Sequence, residues 1–194
     1  MRQIQVAESF ASGQPLNQTE GFARFLQNTK ELTMSKAVSF KPEQYHSLTP
    51  NLVSNNASGA IEFYKKVFGA TVNVHMPGPG GKVMHAELKI GDSTFFINDT
   101  MNAAGIHGAE PGRSNPMYLH LYVEDVDAVF NAALAAGARS DMPVQDMFWG
   151  DRYGKLTDPF GQQWGVATHT EDVTPEEMQR RMKAMSEQAA GQGA

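Results

Sequence analysis

A helical period of apolar residues is flanked by period-two alternation, and the whole arrangement then occurs a second time. From about Ala57 to Phe68, Ile61, Tyr64 and Phe68 fall at i, i+3 and i+7 with Val67 beside them. This stripe predicts a helix covering a sheet, with Gly69 placed to end it in a left-handed conformation. Around it the alternation predicts strands at Ser47 to Val53, Thr71 to Met76, Val83 to Ile90 and Thr94 to Asn98. Residues 77–81, PGPGG, form a loop, and Gly91-Asp92 a turn. In the Val83 to Ile90 run, Met84, Ala86, Leu88 and Ile90 share one face, and His85, Glu87 and Lys89 the other.

After a turn-rich connection, Thr100 to Pro116, which could form a lid, the order starts again. Tyr118 to Val123 alternates as a strand. Asp125 can cap a helix whose apolar face is Val126, Val129, Phe130, Ala133 and Leu134, stopped by Gly137. A run near Met142 to Met147 precedes a hairpin of Arg152 to Thr157 and Gln163 to Thr168, turned by Asp158-Pro159-Phe160-Gly161. In its second strand Trp164, Val166 and Thr168 face one way, towards a core. Gln163, Gly165, Ala167 and His169 face the other, wetter way, where function is expected. Helix ends at Gly69 and Gly137, and turns at Gly91 and Gly161, lie about 70 residues apart, too long for a solenoid repeat. Two tandem βαβββ units and an α+β fold are predicted, unit one over about residues 45–100 and unit two over about 117–170.

The flanks read differently. Residues 1–39 are rich in Gln, Ser, Asn and Thr, with one short helix-like run carrying Phe22, Phe25 and Leu26. They read as an irregular extension, and Met34 opens a stretch resembling an ordinary protein start. Residues 171–194 read as a helix with a fraying tail. Thr174 caps it, Pro175 sits at its first position and Glu177 completes a capping box, while Met178, Met182 and Met185 line one side for docking on a neighbour.

Composition narrows the chemistry. The 194 residues are 41% hydrophobic and carry a formal net charge of −5 with no dense Lys/Arg stripe, which argues against nucleic-acid and basic membrane-surface binding. The absence of cysteine removes disulfides, zinc-thiolate sites and cysteine nucleophiles. No apolar run reaches the length of a membrane span and no secretory apolar region opens the chain, so a cytoplasmic location is expected.

The segments TPNLVSNNASGAIEFYKKVFGA, GKVMHAELKIGDS, LHLYVEDVDAVF and WGDRYGKLTDPFGQQWGVATH, set in a tandem βαβββ repeat, resemble the vicinal oxygen chelate superfamily. That superfamily comprises glyoxalase I, ring-cleaving dioxygenases, fosfomycin-modifying transferases and bleomycin-binding proteins; the PhnB-like branch is the nearest likeness, and it covers about Tyr45 to Met178. The resemblance implies a homodimer and, in catalytic members, a metal held by His and Glu on the first and last strands of each unit. Carried over one at a time, those positions are Thr49, Phe95 or Phe96, Tyr118 and Gly165. None is an ordinary ligand for a divalent ion, which takes carboxylate or imidazole. No cofactor is therefore expected, although a divalent metal at an atypical site made of His85, Glu87 and His120 remains open.

The sheet face instead offers His120, Tyr118, Tyr122, Trp149, Arg152, His85 and Glu87. Trp149 with Arg152 suits a planar or anionic organic ligand, because an aromatic wall and a guanidinium favour such partners. Tyr118, Tyr122 and His85 would complete the binding surface. His120 with Glu87 could instead move a proton next to a carbonyl. Three readings follow: a metal-independent binder of a small organic molecule; a lyase, isomerase or dioxygenase working through an atypical metal or through His120 and Glu87; or an interaction role with the N-terminal arm and the Met-lined tail helix as contact surfaces. His120 could equally be a strand histidine bonded across the sheet, His85 and Glu87 a cross-strand pair, and Arg152 a partner of Asp151 or Asp158.

Overall fold

The helical period that starts at Ala57 becomes α1 (Ala57–Phe68) for reasons local to its two ends. The Asn56 side chain accepts a hydrogen bond from the Gly59 amide, and Gly69 closes the helix at φ 66°, a left-handed conformation that costs glycine little. The structure, a computed structural model, describes residues 39–101, 105–108 and 117–191. The chain divides into two compact units, Met1–Pro42 and Glu43–Ala194. The first lies almost wholly outside the described residues, and with it the helix-like run at Phe22, Phe25 and Leu26. The second contains everything that follows.

Its strands are β1 (Asn51–Ser54), β2 (Thr71–Pro77), β3 (Val83–Ile90), β4 (Ser93–Asp99), β5 (Tyr118–Tyr122), β6 (Arg139–Asp146), β7 (Asp151–Thr157) and β8 (Gln163–His169). The helices α2 (Val126–Ala135) and α3 (Pro175–Gly191) complete it. Two four-stranded sheets form, ordered β1-β4-β3-β2 and β5-β8-β7-β6. In each, the first strand of the copy runs parallel to the last and the remaining pairs are antiparallel. The two copies predicted from the pattern are thus two sheets of one topology.

Three elements depart from what the pattern predicts. β1 begins only at Asn51, because the Thr49 hydroxyl turns back to the His46 carbonyl and Pro50 has no amide to give a ladder. β6 starts at Arg139, three residues before the predicted run. A register shift where β2 meets β3 between Met76 and Pro77 turns Val83 inward beside Ala86, Leu88 and Ile90, and leaves Met84 46% exposed. The shared face predicted for Met84, Ala86, Leu88 and Ile90 holds for the last three, and it is the inward one.

One apolar cluster serves both copies, containing Tyr64 and Phe68 of α1, Leu88 of β3, Ile97 of β4, Phe130 of α2 and Trp164 and Val166 of β8. Each such fully buried large side chain stabilises the fold by about 1.5–3 kcal/mol. α2 packs more loosely than α1: Val126, Phe130 and Ala133 are buried, but Val129 is half-buried and Leu134 is 36% exposed. The turn at Asp158 binds the copies together. One carboxylate oxygen accepts from the Phe160 and Gln162 amides, and the other accepts from the Tyr64 hydroxyl at 2.8 Å and the Trp164 indole at 3.1 Å.

The connection predicted as a lid lies partly outside the described residues; Met101 and Ile106 form a bridge within it. α3 is capped by Thr174, whose hydroxyl accepts from the Glu177 amide. The Glu177 carboxylate does not turn back to complete a capping box, because Arg180 and Arg181 take it. Met182 and Met185 are each 50% exposed on this helix.

Candidate functional site

Alternation along β7 and β8 decides which side chains meet on the open face of the second sheet. Leu156 is fully buried, and a side chain at Gly154 would run into Phe130 of α2, so Arg152, Gly154 and Leu156 point inward. Asp151, Tyr153 and Lys155 therefore point outward. Across the ladder, Asp151 stands opposite His169, Tyr153 opposite Ala167 and Lys155 opposite Gly165. From β5, whose Leu119 and Leu121 pack on the core, Tyr118, His120 and Tyr122 join the same outer face.

The resulting face is aromatic. His120 stacks on Tyr153 at 5.4 Å with a 7° tilt between planes and lies 4.7 Å from Tyr122. Trp149, from the turn before β7, meets Tyr153 edge-on at 5.9 Å. The Tyr153 hydroxyl is paired with that of Tyr118, and burial followed by this neighbour pushes it up to about 12. The Lys155 ammonium lies 4.6 Å above the centre of the Tyr118 ring.

At one end of the face is a buried carboxylate. Asp151, 3% exposed, accepts from the Tyr122 hydroxyl at 3.1 Å and the Trp149 indole at 2.9 Å, and meets His169 Nδ1 at 2.8 Å. Burial alone would raise its carboxyl, but His169, Trp149 and Tyr122 together hold it below the usual carboxylate value. His169 Nε2 lies 3.1 Å from Asp172, and the two carboxylates, Asp151 foremost, raise the imidazole above its ordinary range. Burial chiefly, then Asp151, raises Tyr122.

Of the residues predicted from sequence, Tyr118, His120, Tyr122 and Trp149 meet on this face. Arg152 does not: it turns towards the helices and grips Asp127 of α2 through two bonds of 2.6 and 2.8 Å, with Asp146 at 3.1 Å. Its predicted alternatives, Asp151 and Asp158, are not its partners. The guanidinium is committed to holding α2 on β7. His85 and Glu87 belong to the first sheet, where His85 Nε2 is 3.5 Å from Glu87 and His85 packs on Phe96 at 5.0 Å. Glu87 also receives the Tyr45 hydroxyl, and Tyr45 meets Phe96 edge-on at 5.3 Å. Among the described residues no hydrogen bond links His120 to Glu87, and no group of three His, Asp or Glu comes together to hold a metal, so His85, Glu87 and His120 do not assemble.

The positions implied by resemblance fare no better as metal ligands. Thr49, Phe96 and Tyr118 supply no carboxylate or imidazole, and Phe95 is a buried core residue. A side chain at Gly165 would start 2.6 Å from the Tyr153 hydroxyl, so the tyrosine fills the place a carboxylate there would need. These residues do not fit the divalent ion of the catalytic relatives.

Sequence reasoning missed Asp151, Tyr153 and Lys155 as site residues, and placed His169 on the outward face without giving it a role. The outward set Gln163, Gly165, Ala167 and His169 was legible, and its cross-strand partners would have been found by pairing it with Asp151, Tyr153 and Lys155. Beside the face, on the core side of β5, a groove of about 780 Å³ opens between β5 and the turn joining β3 to β4, with Phe68, Phe95, Val129 and Trp164 among its walls. It reaches the aromatic face only at His120 and Tyr122, and explains why Leu119 and Leu121 are only partly buried.

Residues 45–166 match the family model of the Glyoxalase/Bleomycin resistance protein/Dioxygenase superfamily. The uncharacterized protein Mb0911c of Mycobacterium bovis is 40% identical over 144 residues, which are 73% of this chain and 95% of that protein. The uncharacterized protein At5g48480 of Arabidopsis thaliana is 31% identical over 125 residues, 60% of this chain and 74% of that one. Among solved structures, protein PA1353 from Pseudomonas aeruginosa is similar at a TM-score of 0.53 and 26% identity, over 64% of this chain and 98% of that one. The PhnB protein of Bacillus cereus shares the fold at a TM-score of 0.52 and 20% identity, over 63% and 99%.

Proposed function

Because this chain belongs to the Glyoxalase/Bleomycin resistance protein/Dioxygenase superfamily, we propose that it uses the superfamily's open sheet face to bind a planar organic molecule without the standard metal. The observation that carries this reading is Tyr153: its ring covers Gly165, stacks on His120 and pairs with Tyr118, so aromatic surface stands where relatives place ligands. Rings of this kind bury large area with little loss of side-chain freedom and prefer flat partners. The PhnB-like branch is the placement within the superfamily that we favour, on likeness of fold.

Tyr118 and Tyr122 are 47% and 59% exposed, too open to desolvate a ligand alone. A homodimer, in which a second copy closes the face, completes the proposal. The test is a calorimetric titration of the full chain with 2-naphthamide, an uncharged planar probe, with and without a chelator. Saturable binding that survives chelation and is lost in Trp149→Leu and Tyr118→Ser is expected. Binding that needs added divalent metal, or that both variants retain, overturns the reading.

A second reading, acid-base catalysis as in a lyase or isomerase, is favoured by a different pair from the predicted His120 and Glu87. Asp151 orients and charges His169 on the same face, the arrangement a proton donor needs. Turnover of a bound carbonyl compound, falling by about 100-fold or more in His169→Gln while binding persists, would establish it.

A further inference from the structure

We infer that Lys155 supplies, at the centre of the aromatic face, the positive charge that a metal supplies in catalytic relatives, and that the ligand is accordingly a planar aromatic anion such as an aryl carboxylate or phenolate. The inference rests on the proposed aromatic binding face and adds the charge of its ligand. Position carries the argument. Lys155 stands directly opposite Gly165, the residue at the place of the relatives' last carboxylate. Its ammonium lies over the ring of Tyr118, the residue at the place of their second histidine. Two ligand positions have thus lost their donors, and a cation from the adjacent strand β7 stands opposite the one and over the other.

The other charged groups of the face are already committed to partners. Asp151 is committed to His169, Trp149 and Tyr122, and His169 is held between Asp151 and Asp172. Asp141, on the strand beside β7, is taken by Arg139 and Thr157. Among the described residues no carboxylate pairs with Lys155, which rests on the Tyr118 ring. An ammonium resting on an aromatic ring keeps its three N–H donors and accepts nothing, so an approaching oxyanion gains both charge and hydrogen bonds. An aryl group attached to that oxyanion falls on the surface made by His120, Tyr153 and Trp149. A cationic ligand would meet like charge at the same place.

The experiment is calorimetric titration of the full chain at low salt with three isosteric probes: 2-naphthoate, 2-naphthamide and (2-naphthylmethyl)ammonium. The expected order is naphthoate at least about tenfold tighter than the amide, with the ammonium weakest, and this margin shrinks on going from about 0.05 to about 0.5 M salt. Lys155→Met, which keeps the apolar stem, brings naphthoate down to the affinity of the amide. Lys155→Arg keeps most of the preference. Equal binding of naphthoate and amide to the wild type, or a preference that survives Lys155→Met, overturns the lysine inference and leaves the aromatic face standing. Failure of all three probes to bind overturns both.

Discussion

At the scale of single residues the best-defined chemistry is the contact between Asp151 and His169, and its pH dependence has a definite sign. The imidazole is raised above its ordinary 6.5. Its contribution to stability is therefore fully present below about pH 6.5 and is lost as pH rises through the raised value. The Asp151 carboxyl is lowered below its ordinary 3.8, so its contribution is present above that value and disappears as pH falls through the lowered one. Both describe one interaction, and the protein gains most from it between about pH 4 and 6.5. His169→Gln should accordingly lower the melting temperature at pH 5.5 and make progressively less difference towards pH 9. A difference that is flat across this range would show that the pair does not couple to folding. His169 was legible as an outward residue of its strand. Asp151 was not, because the strand alternation does not reveal that Arg152 lies in the inward phase, where its guanidinium is bound to Asp127.

At the scale of elements, helices and hairpins were legible where local chemistry decides them. The Asn56 cap and Gly69 stop frame α1, and Asp158 to Gly161 turns β7 into β8. The ends of β1 and β6 and the Met84 face were not, since they depend on a proline at the sheet margin and on irregular pairing between strands. Two glycines test how tightly the elements around the face are set. Gly150 has φ 99°, and a methyl group there would collide with the Glu171 carbonyl, in the segment leading to α3. Gly150→Ala is expected to cost at least roughly 2 kcal/mol, measured by denaturant unfolding, since both backbone strain and a backbone clash oppose it. Gly165→Ala meets only the Tyr153 side chain, which can move. Its cost should be smaller, about 1–3 kcal/mol, but it should displace the ring, change the near-ultraviolet dichroism and weaken 2-naphthamide binding. Intact binding in Gly165→Ala would mean that the Tyr153 ring is not part of the ligand surface.

At the scale of the whole molecule, the question is whether the two copies of βαβββ fold as one body. Their apolar residues form a single cluster, and one hydrogen-bonded node crosses between them: Tyr64 of the first helix reaches the Asp158 carboxylate in the turn of the second copy, beside Trp164. Asp158 is 4% exposed and burial raises its carboxyl, so the node is maintained against a desolvation cost by the four donors around it. Removing one donor should therefore be felt across both copies. Tyr64→Phe deletes the hydroxyl with little change of shape and is expected to cost about 1–3 kcal/mol. Asp158→Asn should cost more, because its amide N–H groups must face donors where an oxygen accepted before. In urea, both variants should shift the midpoint of one cooperative transition while leaving its slope unchanged, as when the same surface is exposed in a single step. If the copies were independent bodies touching at this node, the variants would instead separate the unfolding into two transitions, with tryptophan fluorescence from the second copy parting from the overall helical signal.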